Sequence, residues 1–340
     1  MLRASARCRA TCFALALLLA LPSLASAGSA TPDAAVRPRD VLRLAGPTAV
    51  VSFPLLHMVD SGALKPWADR LEFRFWQGPD QLRTLLLDNQ IDVSAAPSNL
   101  PALLANRGQP VRLLNVSVWG LLWLVSRDPA VRDFSDLAGR ELVTPFQRDL
   151  PALLLHALLE AKGLDPARDV RLRPARDSLS GAALLLAGQA DQMIIAEPST
   201  SLLLWRQAHT PGKYAPLRRV QSLETAWREA FPDQPELPQA GLMAWGEAAR
   251  DAGLGAAIER AYAESARWCS SQVDACAALV HRYQPQFPHE ALAESIRVTR
   301  LDSVPAHAAR AQLEALYALL ARGNPQAIGG KLPAAEFYGQ

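Results

Sequence analysis

The chain is poor in cysteine: only Cys269 and Cys276, of four in total, lie beyond the first twelve residues. So sparse a set excludes a disulfide-built mini-domain and a paired-Cys zinc module. Long apolar runs are lacking too. Past the N-terminus no stretch approaches the roughly 20 residues that cross a bilayer, which excludes a multi-span membrane protein. No sign of charge dominates, with 35 Lys and Arg against 33 Asp and Glu, so nothing favours nucleic acid or an anionic membrane as a partner. The six histidines, His57, His156, His209, His281, His289 and His307, are scattered, and no nucleophile elbow, phosphate loop or zinc-protease helix occurs. The expectation is a protein that is not an enzyme and uses no metal and no cofactor.

What is present is a globular composition, half apolar over 340 residues, enough for a large core and two domains. Arg3, Arg7 and Arg9 precede an apolar run from Cys12 to Leu21, followed by Ala25-Ser26-Ala27. That order reads as a cleavable secretory signal over 1–27, cut near Ala27. No Cys follows the small residues, so a lipid anchor is not expected. Removal of the signal takes the formal net charge from +2 to −1. In an exported chain Cys269 and Cys276 read as a disulfide, with two reduced thiols as the alternative. Seven residues of unbroken helix would hold them roughly 10 Å apart, beyond the roughly 7 Å a disulfide tolerates. A helix break is therefore expected between them, with Ser270-Ser271 ending one helix and Asp274 capping the next.

Gly28 to Asp40 has no apolar period and reads as a flexible leader. From Val41 the pattern runs strand, helix, strand, helix, strand, helix, strand up to Val118, which predicts an α/β fold with a mostly parallel sheet covered by helices. A second series starts at Glu141. Tyr214 to Pro238 reads as irregular, Gly241 to Trp245 as a return strand, and the rest as helical to Arg322, packed back on the first lobe. One device occurs twice: Leu85 to Ser98 is echoed by Leu184 to Ser199, each a helix end, a left-handed cap at Asn89 or Gly188, a short strand and a proline loop. The repeat predicts two similar lobes whose proline loops face each other.

In this order the residues resemble the periplasmic solute-binding proteins of ABC importers, of the nitrate, sulfonate, taurine and thiamine-precursor type. The resemblance rests on the Gly46 loop, Gln90-Ile91-Asp92-Val93 before Pro97, Asp136-Leu137-Ala138-Gly139-Arg140, Gln189-Ala190-Asp191 before Glu197-Pro198, and the tail Ile328 to Pro333 with Phe337-Tyr338. It implies a bilobed type II periplasmic-binding-protein fold with two mostly parallel sheets and two hinge crossovers, near Trp123–Ser126 and Gly241–Trp245. Lobe 1 would span 41–123 and 245–340, lobe 2 124–244. The implied role is capture of a small organic molecule or anion in the interlobe cleft and delivery to an ABC permease in the inner membrane, by a periplasmic monomer. The same cleft would serve a periplasmic sensor or accessory protein. Enzymes related to the thiamine-precursor type keep the fold, so a secreted enzyme using His57 is the third reading.

In open α/β sheets ligands gather at the carboxyl ends of the strands, and that rule selects the candidate site. Phe53, Trp76, Trp119 and Phe146 offer flat apolar walls, though each can equally be core. Ser52, Ser98, Asn99, Ser117 and Thr144 are short polar groups beside helix starts, placed to meet an anion or simply to cap. Arg148 suits a sulfonate or carboxylate, with Arg176 a further candidate, and Glu197 suits an amine or ring N–H.

Overall fold

Local pattern builds the first lobe. The computed structural model describes residues 39–147, 149–210, 212 and 214–339; the segment read as an export signal and most of the segment read as a leader lie outside them. Strand β1 (Arg39–Pro47), helix α1 (Phe53–Ser61), β2 (Ala68–Trp76), α2 (Pro79–Leu87), β3 (Val93–Pro97), α3 (Asn99–Asn106) and β4 (Val111–Val118) follow the expected alternation. In α2, Pro79 sits in the first turn and Leu82, Leu85 and Leu86 form the buried stripe, the i, i+3, i+4 spacing of one helix face. The chain turns out of α2 at Asn89 with φ 50° and out of the echoed helix at Gly188 with φ 68°, as the repeat predicts. Strand β1 starts at Arg39, whose N–H bonds Trp67 O, so Arg39 and Asp40, read as leader, are strand.

The second lobe holds β5 (Leu122–Ser126), β6 (Glu141–Thr144), α4 (Leu150–Ala161), β7 (Arg171–Pro174), α5 (Ser178–Leu186), β8 (Gln192–Ala196), α6 (Ser199–His209), β9 (Arg218–Ser222) and α7 (Leu223–Ala230). The chain then returns through β10 (Ala240–Trp245), α8 (Glu247–Arg250), α9 (Ala252–Ser271), α10 (Val273–Tyr283), α11 (His289–Arg297), β11 (Leu301–Pro305) and α12 (Arg310–Gly323).

Two sheets result, ordered β11-β4-β10-β3-β1-β2 and β7-β6-β8-β5-β9. Pairing directions show that β1, β2, β3 and β4 run one way, with β10 and β11 reversed. In the second sheet only β5 runs against the other four. Both sheets are thus mostly parallel by strand direction, and each admits the strand that follows a change of lobe as a reversed insert. The echoed strands hold the same place: β3 lies between β1 and reversed β10, β8 between β6 and reversed β5.

Residues 123–126 and 241–245, expected as hinges, are instead paired inside β5 and β10. The chain changes sheets at 119–121 and 231–239, a few residues earlier than read from sequence. The segment read as irregular holds β9 and α7, and the segment read as helical holds edge strand β11. The C-terminal helices do pack on the first sheet through α9, while Leu316, Leu319 and Leu320 of α12 join the second-lobe cluster around Leu150 and Leu154. Cys269 and Cys276 form a disulfide with Cα atoms 5.0 Å apart. The helix breaks between Ser271 and Val273, with Gln272 rather than Asp274 at the cap position.

Insertion of β10 depends on Gly241. A Cβ there would lie 1.9 Å from Asn115 O on β4, a backbone atom that cannot swing aside. Gly241→Ala is expected to cost about 3 kcal/mol, as overpacking against rigid backbone does, read as a lowered urea midpoint with an unchanged slope.

Candidate functional site

The carboxyl ends of β1, β2, β3 and β4 in the first lobe, and of β6 and β8 in the second, with the loops that follow them, carry the candidate residues. Their polar side chains turn inward. Ser52 Oγ donates to Pro47 O at 2.6 Å, and Ser98 Oγ to Pro238 O at 2.6 Å. Asn99 Nδ2 reaches Ala327 O at 3.0 Å. Ser117 Oγ lies 2.9 Å from Tyr262 Oη, which donates to Val51 O; burial raises the Tyr262 phenol well above its ordinary value. Thr144 Oγ1 is bonded within its own turn to Phe146. Tyr262, missed in the sequence, sits 145 residues from the serine it meets, and no local signal joins them.

The four aromatics pack into four separate clusters instead of one wall. Phe53 lies with Leu202 and Leu292, and Trp76 with Leu82, Met243 and Trp245. Trp119 lies with Tyr317 and Phe337, while Phe146 packs against the second-lobe core. Trp76 Nε1 donates to Ser94 Oγ and Trp119 Nε1 to Asp302 O, so both indoles are bonded on their polar edge. Arg300 lies over Trp119 with its guanidinium carbon 5.1 Å from the ring centre. Arg148 lies outside the described residues, and Arg176 pairs with its neighbour Asp177 at the surface. His57 stacks on Trp268 and bonds Ser265 of α9, and burial lowers its pKa.

Glu197 is fully buried. Its Oε1 accepts from Arg219 Nη2 at 2.8 Å and Nε at 3.2 Å, and its Oε2 from Ser201 N and Oγ. Burial raises its pKa above the usual carboxylate range, against the pull of the Arg219 guanidinium and the Ser201 hydrogen bonds. All four bonds come from its own lobe, and the bond to Ser201 N caps α6. Sequence reasoning missed Arg219 because β9 lay in the segment read as irregular. Alternate residues of a strand face opposite ways: Arg218 ties down the carbonyls of Ser126, Asp128 and Val131, while Arg219 goes to Glu197.

Helix α3 begins without a side-chain cap, leaving backbone N–H groups at its start. Asp149, at the start of α4, has a buried Oδ1 with no hydrogen-bond partner, and burial raises its carboxyl. Elsewhere, a surface cavity of about 590 Å³ is lined by Arg112, Arg250, Lys331 and Phe337. It lies at the start of β4, the end remote from Ser117, and none of the unpartnered buried polar atoms lines it. Among the described residues, no three His, Cys, Asp or Glu side chains gather where they could hold a metal ion.

Two outcomes follow from this geometry. Trp119→Ala is expected to cost about 3–5 kcal/mol of stability, the usual penalty for emptying a packed indole site, seen as a large fall in melting temperature. For Asp149, a raised carboxyl means the folded chain holds the proton more tightly than the unfolded chain. Its contribution is complete below the ordinary carboxylate range and is lost as pH rises through the raised value. Asp149→Asn keeps an N-cap residue without the charge, so it should melt above the native chain at pH 7, with the gap closing by about pH 3.

No protein-family profile and no curated protein sequence matches the chain. Solved structures do. An ABC transporter protein from Parabacteroides distasonis superposes with a TM-score of 0.73 at 19% identity, covering 88% of this chain and 99% of that one. The periplasmic aliphatic sulphonate binding protein SsuA from Escherichia coli gives 0.66 at 16% identity, over 88% and 92%. The periplasmic nitrate-binding protein NrtA from Synechocystis PCC 6803 gives 0.61 at 14%, over 85% and 84%. Similarity at this identity is similarity of fold, and it spans both sheets and both changes of lobe: the chain has the bilobed α/β fold of the periplasmic solute-binding proteins of ABC importers.

Proposed function

We propose that the chain is the substrate-binding component of an ABC importer, exported to the periplasm and working as a monomer. It captures a small organic molecule or anion between its lobes and delivers it to a membrane permease. The observation that carries this reading is the pair of adjacent lobe changes, each feeding one reversed strand into the next sheet. Such a joint lets two rigid sheets swing with bending confined to a few residues.

The internal bonding of Ser52, Ser98, Asn99, Ser117 and Thr144 shifts the recognition role to the backbone. The start of α3, which has no side-chain cap, brings backbone N–H groups and the positive end of the helix dipole to the loop after β3, which suits a negatively charged group on the ligand. Glu197, already neutralised by Arg219, is a structural anchor in this reading and not a receptor for an amine. Phe146, partly buried, is the aromatic nearest the loop after β6 in sequence.

Mass spectrometry of protein isolated gently from the periplasm identifies any compound carried along. A thermal-shift screen of alkanesulfonates, nitrate, aromatic acids and pyrimidines tests the class. A true ligand at about a hundredfold its dissociation constant adds about 2.7 kcal/mol, and the rise in melting temperature grows with concentration. A protein that arrives empty and is unmoved by millimolar amounts of every compound would sink the receptor reading.

A further inference from the structure

Arg219 leaves β9 at the seam where α6 of the second lobe meets α11 of the first. Three contacts hold it within its own lobe. Its Nη2 reaches Glu197 Oε1 at 2.8 Å and Ser201 Oγ at 2.7 Å, and the ring of Trp123 lies 5.4 Å from its guanidinium carbon. The remaining amino group, Nη1, crosses to Glu294 Oε1 on α11, 3.2 Å away. Behind this pair the seam is apolar, with Leu202 of α6 in one buried cluster with Phe53, Leu292, Ala293 and Ile296.

An ion pair between two mobile surface side chains gains little, because both must be immobilised. This one is different in one respect: the guanidinium is already fixed by Glu197, Ser201 and Trp123. Meeting Glu294 then costs the freedom of a single carboxylate. Opening of the lobes breaks that one contact and leaves the other three in place, so the buried Glu197 is neutralised whether the lobes are open or closed.

We propose that Arg219 and Glu294 form a clasp across the interlobe seam that sets how much of the ligand-free protein is closed. The clasp acts between lobes and needs no ligand; only its effect on ligand capture rests on the receptor role proposed above. Arg219 is in this sense a positioning residue: it touches the closing surfaces and presents its last amino group to α11.

The test uses the ligand-free full chain with Glu294→Gln, which removes the crossing charge and leaves the Glu197 pair intact. Glu294 is 43% exposed at its side chain, so the variant keeps its fold, checked by an unchanged melting profile. Small-angle scattering should show a larger radius of gyration. Hydrogen exchange at the α6 and α11 amides should run about threefold faster, since exchange there follows the open population, with α4 amides unchanged. Raising salt to 1 M, where screening acts within roughly 3 Å, should move the native chain in the same direction. Glu290→Gln, one turn away on α11, should leave both readouts at native values. Equal scattering and exchange for Glu294→Gln and the native chain at low salt would overturn the clasp, as would a native chain already open. A ligand that binds while the clasp fails this test leaves the receptor reading standing, and the reverse outcome leaves the clasp.

Discussion

Everything in this fold hangs on two crossings of the chain that must lie side by side, and Gln239 joins them. Its backbone N–H bonds Val118 O at the end of β4, its side-chain Oε1 accepts from Leu121 N at the start of the path to β5, and its carbonyl accepts from Ser98 N. One buried residue thus ties the outgoing crossing, the returning crossing and the loop after β3. Buried backbone groups demand partners, and at a place where the chain leaves one sheet for another no ladder supplies them. An amide side chain offers both a donor and an acceptor, and its acceptor supplies the bond that the crossing at Leu121 lacks.

That joint also explains the echoed segment. The loop after β3 reaches the returning crossing through Ser98 N and Gln239 O, and the loop after β8 reaches the outgoing one through Glu197 N and Leu121 O. Tyr317 of α12 adds a bond to Ser98 O. The repeat places each proline loop against the crossing whose strand its own sheet has admitted. Its two copies differ because only the second buries a carboxylate, and Arg219 of β9, one strand beyond β5, answers it.

Legibility in the sequence followed locality. The βα series, the left-handed exits at Asn89 and Gly188 and the break between Cys269 and Cys276 are set within a few residues, so period and turn chemistry reveal them. Strands β9 and β11 do not show, because each is five partly exposed residues, such as Arg218-Arg219-Val220-Gln221-Ser222, that become strand only by pairing with β5 or β4. Context outweighs intrinsic preference in such edges. The site suffered most. Whether Asn99 or Ser117 faces a ligand or the protein depends on Ala327 and Tyr262, partners 228 and 145 residues distant, and no pattern within one element encodes that choice.

Charge placement obeys a constraint that a two-lobed protein imposes. A fully buried carboxylate paired only across the seam would be stripped of its counter-charge on opening, at a cost of several kcal/mol. Glu197 avoids this by drawing every bond from its own lobe. Each pair that does cross has at least one partly exposed member, whose lost partner water can replace: Arg219 with the half-exposed Glu294, and Arg300 with Glu224 of α7 and Glu236 of the returning crossing. The apolar part of the seam, Leu202 against α11, then supplies contact that is lost gradually with area and has no direction to satisfy. Deep charges settled within a lobe, shallow charges shared between lobes and apolar contact along the seam together give a joint that can open without exposing an unpaired ion.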